Sequence, residues 1–262
     1  MATVKEAKSV WTPLLFILKN KHINVKDYDY IEGKTNEKKM MDGDHPFLMY
    51  GRRFYQNPYL WARLVEGEYG EAIEAIMNHS DFVPDLMITR GCLGCNSKEN
   101  KYPSAMTAAY LSWVKENDPE NIDDAVDQII VAVAESGRYS ILLEVWIFAN
   151  NHAKPKWGNW GNAGNGDALL YSISAEDSRI AVKLLELGAD PSKNDSLAFA
   201  KACKNAKYRI ANMMIDRGVN IHTKNDLALR MIERNDSNNV PIPKEEKEYR
   251  LIIIEKFIKE KQ

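Results

Sequence analysis

The chain has 262 residues, 45% hydrophobic and 27% charged, with 35 basic and 37 acidic side chains and a net charge of −2. Such a chain can bury a real core; it is neither disordered nor collagen-like, and it offers no global electrostatic basis for nucleic-acid binding. No run of about 18 apolar residues predicts a membrane span, and three cysteines do not make a disulfide framework, so a reducing, intracellular setting is expected.

The charge is unevenly divided: residues 1–56 sum to +3, residues 57–150 to −9 and residues 151–262 to +4. Residues 1–57 read as an N-terminal capping segment. WTPLLFIL is short, holds a proline and lacks a small-residue cleavage site, unlike a secretory signal. HINVKDYDYIEG reads as a small β element and KTNEKKMMDGDHP as a loop. The aromatic cluster Phe47, Tyr50, Phe54, Tyr55, Tyr59 and Trp61 surrounds Arg52 and Arg53. Two arginines make a poor funnel for a nucleic-acid backbone, so the cluster reads as the core of the cap.

Residues 58–150 read as divergent helix pairs. LWARLVEGEYGEAIEAIMNHSD has a short helix, a glycine and a longer helix, with Glu71 and Glu74 on a solvated face. RGCLGCNSKEN places Cys92 and Cys95 at the spacing of half a zinc site or a redox pair. Only Cys203 and His79 offer further ligands, and no βαβ pattern surrounds the pair. Ordinary loop cysteines are therefore expected, with zinc as the alternative. None of the five histidines has the HExxH spacing. SAMTAAYLSWVKE, IDDAVDQIIVAVAES and YSILLEVWIFANN each predict a helix. From the end of the first of these into the second runs an acidic stretch, Glu116, Asp118, Glu120, Asp123, Asp124 and Asp127. It reads as a loop and helix N-terminus, where carboxylates favour the dipole, or else as an acidic face for a basic partner.

Residues 151–262 open with KPKWGNWGNAGNGD. No strand precedes its glycines, as a phosphate-binding loop requires, so a long flexible connection is expected. Its tryptophans, Trp157 and Trp160, either fold back onto the core or stand ready for a partner, the role in which tryptophan is enriched. An internal repeat follows. RIAVKLLELGADP from Arg179 aligns with RIANMMIDRGVNI from Arg209 at an offset of 30 residues, and Leu197-Ala198 aligns with Leu227-Ala228. Each unit predicts two short helices, with Gly188 and Gly218 as left-handed caps. Helices of nine residues are marginal alone and need stacked neighbours. NGDALLYSISAEDS supplies the first helix of the earlier pair, and His222 falls in a finger turn with a local hydrogen-bonding role. EYRLIIIEKFI predicts a C-terminal capping helix with a polar outer face, after a loop at SNNVPIPKEEK.

The strings LLELGADPSKND and IDRGVNIHTKNDLALR resemble ankyrin repeats, in the short form found in giant-virus and phage-like proteins. The likeness covers residues 165–235. The Thr-Pro-Leu-His start of the inner helix is missing, with Ser196, Leu197, Ala198 and Phe199 standing there instead. The resemblance implies an all-α ankyrin-type solenoid that binds proteins through finger tips and the inner-helix face. On this chain those positions include Tyr171, Asn194 and Lys224, beside Trp157 and Trp160 and the acidic Asp118, Asp123, Asp124 and Asp127. It also implies no catalysis, no cofactor, no metal and no direct nucleic-acid contact. The style of the repeats points to a viral or phage protein that binds and blocks a host defence protein in the host cytoplasm. The rival from another class is an enzyme, or a zinc-binding protein, with its site in the N-terminal half.

Overall fold

A computed structural model describes residues 82–95 and 99–260, together with positions 61, 64, 65, 73, 74 and 77. The capping segment 1–57 lies outside the described residues, with its β element, its aromatic cluster apart from Trp61, and His22 and His45. So do His79 and Glu71. The described part is mostly helical and holds no strand, an all-α fold. The chain divides into two compact units, Met1–Asn117 and Asp118–Gln262.

In the first unit, α1 spans Leu86–Leu93 and α2 spans Lys101–Asn117. Asp85 caps α1, its carboxylate accepting the Ile88 N–H at 2.8 Å. Ile88, Cys92 and Leu93 of α1 and Met106, Leu111 and Val114 of α2 are buried. Trp61 is fully buried, its ring 5.5 Å from that of Phe82.

The second unit begins with a 3-10 turn, Pro119–Asn121, followed by α3 (Ile122–Ser136) and α4 (Tyr139–His152). Then come α5 (Asp167–Ser172), α6 (Arg179–Glu186), α7 (Lys193–Lys204), α8 (Tyr208–Ile215), α9 (Thr223–Ser237) and α10 (Lys244–Lys259). Packing follows alternate elements: α3, α5, α7 and α9 each touch the next in that row, as do α4, α6, α8 and α10 in theirs. Sequence explains the difference between the rows. α6 buries Ile180, Ala181, Leu184 and Leu185 on one stripe, and α8 buries Ile210, Ala211 and Met214 at the equivalent places. α7 instead buries the small Ala198, Ala200, Ala202 and Cys203 around Phe199, which lets neighbours approach on both sides.

The 30-residue spacing is written into the backbone and reaches one unit further back than the sequence match. Gly158, Gly188 and Gly218 all have left-handed φ, at 87°, 90° and 79°. At Gly188 the cap is a Schellman motif: Ala189 N–H donates to Leu184 O and Gly188 N–H to Leu185 O, both at 3.0 Å. Gly218 and Val219 repeat it. Six residues after each glycine the chain makes a three-residue left-handed turn, at 164–166, 194–196 and 224–226, with φ between 53° and 100°. Most of these nine positions are not glycine, and each left-handed L-residue costs about 1 kcal/mol or more. Inter-unit bonds offset that cost. Asn194 Nδ2 donates to Asp167 Oδ1 at 3.0 Å, Lys193 Nζ to Asn165 Oδ1 at 2.8 Å, and Asp190 N–H to Asn162 Oδ1 at 2.7 Å.

One expectation is corrected here and another is qualified. The glycine-rich stretch is not a flexible connection: Trp160, Gly161, Asn162, Ala163 and Gly166 are buried, and residues 164–166 form the first of the three turns. A Cβ at Gly161 would lie 2.4 Å from both Ala189 N and Leu184 O, so only glycine admits this approach of two backbones. The polar outer face of the C-terminal helix, with Lys244, Glu245, Lys247, Glu248, Glu255 and Lys259 exposed, is interrupted by two apolar side chains, since α10 leaves Leu251 57% and Ile258 55% exposed.

Candidate functional site

Three carboxylates of the acidic run hold the loop that follows α4. Asp123 accepts the Lys154 N–H at 2.7 Å, Asp124 pairs with Lys156 Nζ at 2.7 Å, and Asp127 accepts the Gly164 N–H through both oxygens at 3.1 and 3.0 Å. Asp123 and Asp124 also stand in the first turn of α3, where the dipole favours them. Burial pushes the Asp127 carboxyl above the ordinary aspartate range, opposed by the Gly164 N–H, the Trp157 side chain and Lys156. Asp127 is buried and is therefore withdrawn as a partner-facing residue; Asp123 and Asp124 are spent on the loop. Asp118 accepts both of its bonds from Asn121 Nδ2, at 2.9 Å.

The anchored loop divides the two tryptophans. Trp160 is only 6% exposed and belongs to the core, which corrects its place among the surface candidates. Trp157 is 38% exposed. Lys156 Nζ and Lys193 Nζ lie 5.8 and 5.9 Å from its ring centre, within cation–π range. Tyr171, on α5, is the next exposed aromatic, with Lys201 Nζ 5.9 Å from its ring centre. Burial, with Lys204 beside it, holds the Lys201 ammonium below the ordinary lysine range. Its Nζ also donates to Leu170 O at 3.1 Å, which ties α7 to α5.

Asn194 is half-buried and bonded to Asp167, whereas Lys224 is exposed and pairs with Asp195 at 3.5 Å. Both sit in left-handed turns. The candidates therefore resolve into an aromatic and basic set, Trp157, Tyr171, Lys193, Lys201 and Lys224, on the turns and the first row of helices. Lys193 and Lys201 were missed in the sequence. The available signal was register, since Lys201 lies 30 residues after Tyr171.

No family model, curated protein or solved structure matches the chain.

Cys95 is a loop residue, as expected, and Cys92 is not. Cys92 lies in the last turn of α1, and Cys95, two residues past it, points its Sγ 3.0 Å from Cys92 O. Among the described residues no group of three His, Cys, Asp or Glu is placed to hold a metal ion. Burial pushes the Cys203 thiol up to about 12, so it is a protonated core residue at neutral pH. His222 Nδ1 lies 2.6 Å from Asp226 Oδ1, and its ring packs edge-on against Phe257, which fastens the last turn to α10. Among the described residues no helix is long and apolar enough to cross a membrane.

Proposed function

We propose that the chain is a non-catalytic protein-binding scaffold, an ankyrin-type solenoid that meets its partner with the turn and first-row face. The observation that carries this is the pairing of exposed aromatics with lysines of the following repeat, Trp157 with Lys193 and Tyr171 with Lys201, Trp157 also lying beside its own neighbour Lys156. A rigid aromatic gives a large contact area at small entropic cost, and a lysine at its rim adds charge without burying an unpaired group. The 30-residue recurrence of Gly158, Gly188 and Gly218 and of the three left-handed turns supports the solenoid part of the reading.

The resemblance of the repeats to giant-virus and phage-like forms extends the proposal. The partner is then a host protein, and the chain acts in the host cytoplasm by blocking it. Affinity capture with tagged chain from candidate host lysate, with mass spectrometry, tests the scaffold. A stoichiometric protein partner that is retained by wild type and lost by Trp157→Ala/Tyr171→Ala, at unchanged melting temperature, supports it. Capture unaffected by the double substitution, or turnover of a small substrate without any protein partner, overturns it.

A further inference from the structure

The opposite row of helices carries a cleft that this reading does not use. It has a volume of about 200 Å³ and is lined by Tyr139 of α4, by Arg179, Lys183 and Glu186 of α6, by Ser178, and by Arg209 of α8. Arg179 and Arg209 are the same position of successive repeats, and both line this one cleft.

The cations are held in place before any ligand arrives. Asp177 grips Arg179 through Nε and Nη2, at 2.6 to 3.0 Å, and the Arg179 guanidinium lies 4.6 Å from the Tyr139 ring centre. The Asp177 carboxyl is correspondingly held below the ordinary aspartate range by Arg179. Lys183 is only 19% exposed, lies 4.5 Å from the Trp146 ring centre and has a long 3.5 Å pair with Glu186. Arg209 is exposed, and among the described residues no carboxylate lies within ion-pair distance of its guanidinium. Its backbone N–H, by contrast, is taken by Glu246 at 2.7 Å.

We infer that this cleft seats one carboxylate side chain from an acidic segment of a partner protein; the inference rests on the protein-binding reading. Charge sets the class. Arg179, Lys183, Lys207 and Arg209 against Asp177, Glu186 and Glu246 leave one positive charge, matched by a single carboxylate. A dianionic phosphate would meet Asp177 and Glu186 without enough cation to offset them. Geometry agrees, since Asp177 already occupies the Nε edge of Arg179, which leaves Nη1 and the whole Arg209 fork for the incoming oxygens. Size agrees as well, because small-molecule sites run to about 300–1,000 Å³ and this cleft is smaller, with room for one side chain.

The test uses the full chain and a fluorescein-labelled hexaglutamate peptide at low ionic strength. Saturable binding is expected, weakened roughly tenfold by Arg209→Gln, weakened less by Arg209→Lys, and unchanged by Lys115→Gln, at an exposed lysine of α2 that lines neither the cleft nor the aromatic set. Arg209 is exposed and has no ion pair to lose, so the variant keeps its fold, checked by an unchanged circular dichroism melt. No saturable binding, equal weakening by Lys115→Gln, or saturable binding of inorganic phosphate in place of the peptide overturns the proposal. None of these outcomes depends on Trp157 or Tyr171, so failure here is separable from failure of the capture experiment.

Discussion

Asn205 and Asn235 lie 30 residues apart, and each donates its side-chain amide to a backbone carbonyl 32 residues upstream, Ile173 O at 3.2 Å and Cys203 O at 3.0 Å. The same bond, made twice at the repeat spacing, satisfies carbonyls at the C-terminal end of the preceding first-row helix, where intrahelical donors run out. Asn235 is the more deeply placed and also reaches Lys204 O at 3.1 Å. Asn235→Leu is expected to cost about 1–3 kcal/mol, the range for leaving a buried group unpaired, with Asn205→Leu costing less because Asn205 is itself exposed and holds one carbonyl where Asn235 holds two. Urea unfolding of both variants measures the ranking, and equal losses would contradict it.

Gly158 and Gly161 separate two reasons for glycine. Gly158 has φ 87° and open space around a built Cβ, whereas Gly161 faces the backbone of Ala189 and Leu184 at 2.4 Å. Gly158→Ala therefore meets only the left-handed penalty, about 1–2 kcal/mol. Gly161→Ala forces two backbones apart and is expected to lose about 3 kcal/mol or more, the upper end of overpacking. Thermal melts of the two variants are the check; a milder loss at Gly161 would remove the close approach from the account.

Asn225 is exposed and stands at φ 55° in the third left-handed turn. Asn225→Gly should raise stability by up to about 1 kcal/mol and Asn225→Val should lower it by about 1–2 kcal/mol, since a β-branched residue tolerates this region least. Opposite signs in denaturant midpoint are the expected result, and a fall in both variants would speak against it.

Asp127 makes stability depend on pH in a stated direction. Its folded carboxyl is raised by burial above the ordinary aspartate value, so the folded state takes up its proton first. The contribution is fully present below the ordinary aspartate pKa and is lost as pH rises through the folded one. The stability of wild type minus that of Asp127→Asn should therefore fall as pH rises through that window. Asp127→Ala, which leaves the Gly164 N–H unpaired, should cost about 1–3 kcal/mol at neutral pH. Denaturant titrations from pH 3 to pH 7 check both statements.

Much of the helical order was legible because apolar spacing is a local property. IDDAVDQIIVAVAES gives α3 with its bounds, and Gly188 and Gly218 mark their caps. The first of the three turns was not legible, because Gly164, Asn165 and Gly166 reach the left-handed region with different residues from Asn194, Asp195 and Ser196. The backbone conformation repeats there and the side chains do not. The site was read less completely for a related reason. Trp157 and Trp160 have the same local composition, and only the anchors from Asp123, Asp124 and Asp127, about 30 residues away, bury one and leave the other exposed. Arg179 and Arg209 stood out as a repeat match, yet the cleft between them needs Tyr139 from an earlier helix.

The central claim is that the Trp157 and Tyr171 face meets a protein partner. Amide hydrogen exchange of the chain, alone and with the captured partner at saturation, tests it most directly. Protection gained across residues 154–172 and 193–201 is the predicted result. Protection confined to other segments, or no change with the partner bound, would contradict it.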